Sequence, residues 1–128
     1  MLDIAEVVRE LAARYTIAEC AFDPWRAGQI GQELEQRGIR VSQFPQSDGR
    51  MVPASQGLYD AIVEGRLVHP DDPRLNAHVA AAVARHGRRG WRIDKAGRAD
   101  KIDAVVALCM ALDRTENRPQ PAQLIGWL

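Results

Sequence analysis

The first 44 residues alternate between two hydrophobic periods, and this alternation restricts the fold more than any other feature. Residues 2–15 place apolar side chains at the spacing of one helical face, which predicts an amphipathic helix. A short apolar run at 17–22 predicts a strand. Residues 25–37 return to the helical period before Gly38, and residues 39–44 alternate as a second strand. Helix, strand, helix, strand is the pattern of a parallel α/β layer, so we expect an α/β fold.

The middle of the chain predicts further helices. Residues 45–53 contain Asp-Gly and two prolines and predict a loop, and the residues after them predict a helix that ends at Gly65. Asp72, followed by proline, is typical of a helix N-cap, and the apolar spacing extends this helix to Gly87. Residues 91–93 predict a short strand or hairpin arm.

The last element is the most apolar one. Residues 104–112 are nine apolar residues in succession, which predicts a helix buried over most of its circumference. Beyond Arg114 the sequence becomes polar and contains prolines. We therefore expect one domain over residues 1–114 and a flexible tail over residues 115–128, in keeping with a length of 128 residues.

Composition and missing motifs exclude several classes of protein. No window approaches about 18 uninterrupted apolar residues, and acids occupy the amino end where a secretory signal would be basic, so we expect a cytoplasmic protein that does not engage a membrane. Cys20 and Cys109 are expected to be reduced thiols, and neither has a partner at zinc-ligand spacing. The sequence lacks a phosphate-binding loop and an esterase nucleophile elbow, which argues against ATP hydrolysis and ester hydrolysis of the common kinds.

Charge is balanced over the chain but locally segregated. Seventeen basic residues match seventeen acidic ones, yet the segment 85–101 holds seven cations and only two acids. This segment predicts a surface that faces nucleic-acid phosphates, and a solvated loop with scattered arginines is the alternative. The seven candidate DNA-binding residues are Arg85, Arg88, Arg89, Arg92, Lys95, Arg98 and Lys101.

Two aspartates stand out as candidate site residues. Asp23 lies between a predicted strand and a predicted helix, where parallel α/β folds place ligand-binding groups, although aspartate before proline is also an ordinary N-cap. Asp103 opens the last helix on one stripe with Val106, Ala107 and Met110, which is expected to face the core or a cleft. A metal ion or a cation would offset the cost of burying this carboxylate, and a first-turn acid stabilised by the helix dipole is the alternative.

The histidines are weaker candidates. His78 and His86 are eight residues apart, which is about 12 Å along the predicted helix and too far to chelate one ion. His69 lies in a predicted loop beside acidic residues, where it is expected to be exposed unless it contacts a phosphate or a metal.

Several segments together resemble the carboxyl-terminal nuclease domain of tailed-phage terminase large subunits. The similarity runs over residues 4–113, and its motifs keep the family's order and spacing. The motifs are Ala21-Phe22-Asp23-Pro24-Trp25-Arg26-Ala27, residues 29–35, Phe44-Pro45-Gln46, residues 64–70, the helix from Asn76, and Lys101-Ile102-Asp103-Ala104-Val105-Val106-Ala107-Leu108.

The resemblance implies a ribonuclease H-like fold, with a mostly parallel sheet flanked by helices, that cuts double-stranded DNA during genome packaging. In the family two divalent ions, Mg²⁺ or Mn²⁺, support the cut. Its second acid, after the fourth strand, matches Asp23, and its last acid matches Asp103. The resemblance therefore implies that Asp23 and Asp103 are catalytic metal ligands in a phage or prophage protein of the bacterial cytoplasm.

The chain also departs from the family's pattern. The ATPase half is missing, and the sequence begins at the helix after the family's first three strands, the first of which carries the first catalytic aspartate. Asp48, Asp94 and Asp100 are the nearby acids that might replace it, and none matches its position. We therefore expect an N-terminally incomplete nuclease domain that binds two, one or no ions and has little activity alone. The strand at 17–22 would have an open edge that pairs with a second copy or with a complementing chain.

Two alternatives remain open. The same fold could serve as a non-enzymatic assembly module, since the tail ends in Leu124, Ile125, Trp127 and Leu128, which could enter a groove of a packaging or capsid protein. This tail could equally fold back on its own domain. The chain could also be a small α/β domain unrelated to phage.

Overall fold

The structure is a computed structural model that describes residues 3–117, the side chain of Arg26 excepted. Within this range the chain forms five helices and four strands. In chain order they are α1 (Ile4–Arg14), β1 (Cys20–Phe22), α2 (Pro24–Gln36), β2 (Val41–Gln43), α3 (Asp48–Val63), α4 (Pro73–Ala80), β3 (Ala82–Gly87), β4 (Gly90–Lys95) and α5 (Asp103–Glu116).

The unit from β1 through α2 to β2 confirms the predicted parallel α/β layer. β1 and β2 are parallel, with Cys20 opposite Val41. Gly38 ends the intervening helix at a φ of 81°, a left-handed conformation that suits glycine. A β-carbon at Gly31 would lie 2.5 Å from the Phe22 ring, so α2 can approach β1 this closely only because residue 31 is glycine.

The predicted loop at 45–53 was wrong, because α3 begins within it. Ser47 occupies the N-cap position, and the helix continues through Pro53. Proline at this point removes the hydrogen bond to the carbonyl of Gly49 and crowds that carbonyl with its ring, a cost that the packing of the helix offsets. The buried side chains of Met51 and Ala54 on the same helix favour the helical conformation over the turn that the local sequence indicated.

The predicted helix to Gly87 was also wrong beyond residue 80. Asp72 does cap α4, and its carboxylate accepts the N–H groups of Arg74 and Leu75. The helix then ends, and β3 pairs antiparallel with β4 as a hairpin. Gly90, at a φ of 120°, follows the tight turn of this hairpin. The strand forms because pairing with β4 satisfies its backbone groups and packs Ala82 against the core, neither of which local spacing reveals.

The core lies where α3 and α5 meet the end of β2. Phe44, Met51, Leu58 and Val105 are buried there, and Cys109 is fully buried among them. Burial raises the pKa of the Cys109 thiol to about 11, so this group stays protonated at neutral pH. Both cysteines are free thiols, as predicted.

Helix α5 is less enclosed than its composition predicted. Val105 and Cys109 face the core, whereas Ala107 and Ala111 are exposed in a groove beside β1. The helix ends at Glu116, two residues past the predicted domain boundary, and the tail predicted after it lies, from residue 118, outside the described residues. No helix within residues 3–117 has the length and apolar character needed to cross a membrane.

Candidate functional site

Asp23 is the N-cap of α2 and directly follows β1. Its carboxylate Oδ1 accepts the backbone N–H of Trp25 at 3.1 Å, and Pro24 occupies the first helical position. The side chain is half-buried. Asp23 therefore acts as a helix N-cap, as the structural alternative predicted. This role uses one of its two carboxylate oxygens, and the residue lies at the carboxyl end of a parallel strand.

Asp103 is the first residue of α5 and is exposed. It lies four and seven residues before Ala107 and Met110, so the three share one helix face. Ala107 and Met110 line the groove beside β1. Two of the three apolar residues on the predicted stripe therefore face a cleft, whereas Val106 and Asp103 are not among the residues that line it.

The groove of about 500 Å³ lies between the β1 region and α5. One end is closed by an ion pair in which Arg114 donates twice to Glu19, from Nε at 2.5 Å and from Nη2 at 2.9 Å. Both side chains are largely buried. The hydrogen bonds to Glu19 raise the pKa of the Arg114 guanidinium.

This ion pair joins the last turn of α5 to the residue before β1. Asp23 lies four residues after Glu19, and Asp103 lies eleven residues before Arg114. At about 3.3 Å per strand residue and 1.5 Å per helical residue, these separations are about 13 Å and 17 Å. Both elements line the same groove, and in each of them the aspartate lies beyond the lining residues, on the side away from the ion pair along the sequence.

His78 has a role that sequence reasoning missed. Its Nδ1 accepts the backbone N–H of Ala104 at 2.8 Å, in the first turn of α5. Ile102, in the N-cap position, makes no side-chain capping bond. A histidine from α4 thus caps α5 in place of a local residue and holds the turn that carries Asp103. No sequence signal marks this contact, because it joins residues 26 positions apart.

The other two histidines lie elsewhere. His86 is on strand β3 rather than on a helix, and it is exposed. The imidazole of His69 accepts the N–H of Asp71 at 3.2 Å in the exposed loop before α4. Neither side chain makes a contact with Asp23 or Asp103 among the described residues.

The cationic segment forms the β3–β4 hairpin and the link to α5. Arg88 and Arg89 form its turn and are exposed, as are Arg85, Lys95, Arg98 and Lys101. Arg92 differs from these six, because its guanidinium is only 16% exposed and donates from Nη1 to the backbone oxygen of Gln46 at 2.9 Å and to Asp48 at 3.0 Å. The Nε of Arg92 is buried without a hydrogen-bond partner within residues 3–117.

Two of the three other acids considered for the site pair with arginines of this hairpin, whereas Asp100 lies in the link to α5 beside Gly97. Asp48 accepts a hydrogen bond from Arg92, and Asp94 forms an ion pair with Arg85 at 3.1 Å. Among residues 3–117, no group of three histidine, cysteine, aspartate or glutamate side chains is arranged to hold a metal ion. The described residues alone therefore do not form a complete metal centre.

Comparison with known proteins agrees with an α/β domain of the nuclease class. A family model described as the endonuclease domain of the terminase large subunit matches residues 1–118, so the chain belongs to the terminase large subunit endonuclease family. The crystal structure of the HK97 bacteriophage large terminase matches with a TM-score of 0.72 and 27% sequence identity, over 87% of this chain and 24% of that one. The chain thus spans about a quarter of that terminase. No curated protein matched the sequence.

The capping contact of His78 yields a stability prediction. We expect His78→Ala to lower the free energy of unfolding by about 1 kcal/mol, because the Ala104 N–H is then without its acceptor. His78→Asn, which keeps an acceptor, should restore part of this stability. Urea denaturation measures both, and His86→Ala on exposed β3 is the control, expected to change stability by less than about 0.5 kcal/mol. Equal effects at the two histidines would contradict the capping role.

Proposed function

We propose that this domain takes part in metal-dependent cleavage of DNA during phage genome packaging, in the bacterial cytoplasm, and that it needs residues from outside the described range to be active. The observation that carries this proposal is that β1 and α5 line one groove, with Asp23 directly after the first and Asp103 at the start of the second. Family membership supports the reaction class.

Asp23 and Asp103 are proposed as two ligands of Mg²⁺ or Mn²⁺. Carboxylate oxygens are the ligands these hard cations prefer. Two carboxylates are too few to hold two ions, and residues 3–117 offer no third ligand in place. The remaining ligands are therefore proposed to come from a strand that pairs beside β1.

The open edge of β1 supports pairing with such a strand. The N–H of Cys20 and the C=O of Phe22 both face β2, through bonds to Arg40 and Phe44. Since successive residues of a strand point their backbone groups to opposite sides, those of Ala21 face away from β2. No strand within residues 3–117 pairs there. Unpaired edges recruit other strands, and a second copy or a complementing chain is proposed to do so here.

The β3–β4 hairpin and the link that follows it are proposed as the surface that contacts the DNA backbone. The six exposed cations of this segment are available to phosphates, whereas Arg92 is proposed to act as the internal anchor that fixes the hairpin to the loop after β2. Contacts of this kind give affinity that depends on salt but not on sequence.

Metal binding tests the two aspartates directly. We expect Asp23→Asn and Asp103→Asn each to weaken Mn²⁺ binding roughly 10–100-fold, measured by calorimetric titration, because each removes a charged ligand. Asp113→Asn, on α5 but ten residues from Asp103, is the matched control and should bind as the unchanged chain does. If the unchanged chain nicks a plasmid with Mn²⁺, cleavage at the same rate by both site variants would remove these aspartates from the mechanism.

Salt dependence tests the hairpin. We expect replacing both Arg88 and Arg89 by glutamine to weaken binding to a DNA duplex, because fewer phosphates are neutralised. The slope of log affinity against log salt should fall by about 1 for each phosphate that either arginine had neutralised. Arg37→Gln, in the C-cap position of α2, is the control for a change of charge outside the hairpin. An unchanged slope in the double variant would argue against phosphate contacts at the hairpin turn.

The mass of the protein in solution tests whether the open edge of β1 pairs with a second copy. We expect gel filtration to give a mass above the 14.2 kDa of one chain. Ala21→Pro removes the outward-facing N–H without touching the bonds to β2, and it should reduce the mass to that of one chain, whereas Ala21→Ser should not. A single-chain mass for the unchanged protein would refute pairing with a second copy, and co-purification with a different polypeptide would instead identify a complementing chain.

A further inference from the structure

A second cavity borders α5, and it shares no lining residue with the groove beside β1. Its volume is about 580 Å³, and it is bounded by α3, α4, the β3–β4 hairpin and α5. All but three of its lining residues are apolar or aromatic, and none of them carries a charge. The volume falls in the range of pockets that enclose a ligand.

The three polar lining residues already have partners. The hydroxyl of Ser55 accepts the N–H of Ile93 at 3.1 Å. The side chain of Asn76 donates to Asp71 at 2.7 Å, and the imidazole of His69 accepts the N–H of the same residue. The cavity therefore offers apolar surface rather than hydrogen bonds, and its occupant should be apolar.

The rim of the cavity is an exposed apolar surface. Tyr59, Ile62, Val79 and Val83 line it and are each about half exposed, between 44% and 56%. The ring of Trp91, which also lines the cavity, packs edge-on against Tyr59 with centroids 6.1 Å apart. Contiguous exposed apolar side chains of this kind mark an interaction surface.

We propose that this cavity is the docking site of the chain's own C-terminal segment, residues 119–128, with Trp127 and its aliphatic neighbours as the groups that enter it. The end of α5 supports this assignment. Glu116, in the last turn of the helix, forms an ion pair with Arg66, and the next residue, Leu67, lines the cavity. The C-terminal segment therefore leaves the described part of the chain beside the rim.

The segment has the chemistry that the cavity requires. Residues 119–128 contain no charged side chain, which matches the uncharged lining. Four of the last five residues are large and apolar, namely Leu124, Ile125, Trp127 and Leu128. A buried tryptophan removes about 150–250 Å² of surface from water, so it is the strongest anchor the segment has.

The segment is also long enough to reach the cavity. The seven residues 117–123 span at most about 25 Å when extended, and the two prolines among them favour extended conformations. Leu108, the cavity-lining residue of α5 nearest to its end, lies eight residues before Glu116, or about 12 Å along the helix. Attachment to the same chain gives the segment a millimolar effective concentration, which favours it over a second copy.

Fluorine NMR of the full chain labelled with 5-fluorotryptophan tests this proposal, which needs neither metal nor DNA and so can fail independently of the nuclease proposal. The chain has three tryptophans, and Trp127→Phe assigns the resonance of the third. We expect this resonance to lie away from its position in urea, by an amount that does not change with protein concentration.

Two neighbouring positions on α3 supply the matched variants. Ile62 lines the cavity, whereas Val63 is 67% exposed and does not. Both positions lie in the last turn of α3, where the positive charge of a lysine interacts favourably with the helix dipole. We expect Ile62→Lys to return the Trp127 resonance to its urea position and Val63→Lys to leave it shifted. If thermal melting shows that Ile62→Lys does not fold, Val79→Lys on α4 takes its place.

Three results would overturn the proposal. The Trp127 resonance of the unchanged chain could coincide with its urea position, which would mean that the segment does not dock. A shift that disappears on dilution would assign the cavity to a second copy. Equal effects of Ile62→Lys and Val63→Lys would place the segment elsewhere on the domain.

Discussion

The ion pair between Glu19 and Arg114 sets the geometry on which the remaining features depend. It joins the residue before β1 to the last turn of α5 across 95 positions of sequence, with two hydrogen bonds and little exposure to water. Desolvation offsets much of the attraction within a buried pair, but removal of Glu19 would leave the Arg114 charge without this acceptor. The main consequence of the pair is therefore geometric, since it joins the last turn of α5 to the residue before β1, and Asp103 and Asp23 lie at the other ends of these two elements.

Helix α5 has two open sides, which explains why so long an apolar run occurs in so small a domain. Ala107 and Ala111 face the groove beside β1, and Leu108 faces the cavity beside α3 and α4. Val105 and Cys109 are buried in the core, and Val105 also lines the cavity. The two open sides fit two different occupants, because the groove borders an unpaired strand edge whereas the cavity offers only side-chain surface.

The cationic segment combines structural and exposed charges that look alike in the sequence. Arg92 is held inside by Gln46 and Asp48, and Arg85 pairs with Asp94 across the hairpin. Surface pairs such as the second contribute little stability. A run of arginines in the sequence therefore does not distinguish exposed side chains from buried ones. In this domain the exposed cations are concentrated at the hairpin turn and in the link to α5.

The sequence by itself determined the α/β order of the first 44 residues, the N-caps at Asp23 and Asp72, and the family, because hydrophobic period, capping chemistry and motif order are local properties. The assignment of Asp23 and Asp103 as metal ligands stays a prediction. Only the tertiary structure decided that residues 82–87 form a strand, that α3 continues through Pro53, and that His78 caps α5. Each of these depends on partners far along the chain, such as Ala104 for His78, and the free energy of such contacts exceeds the local preferences that the sequence displays.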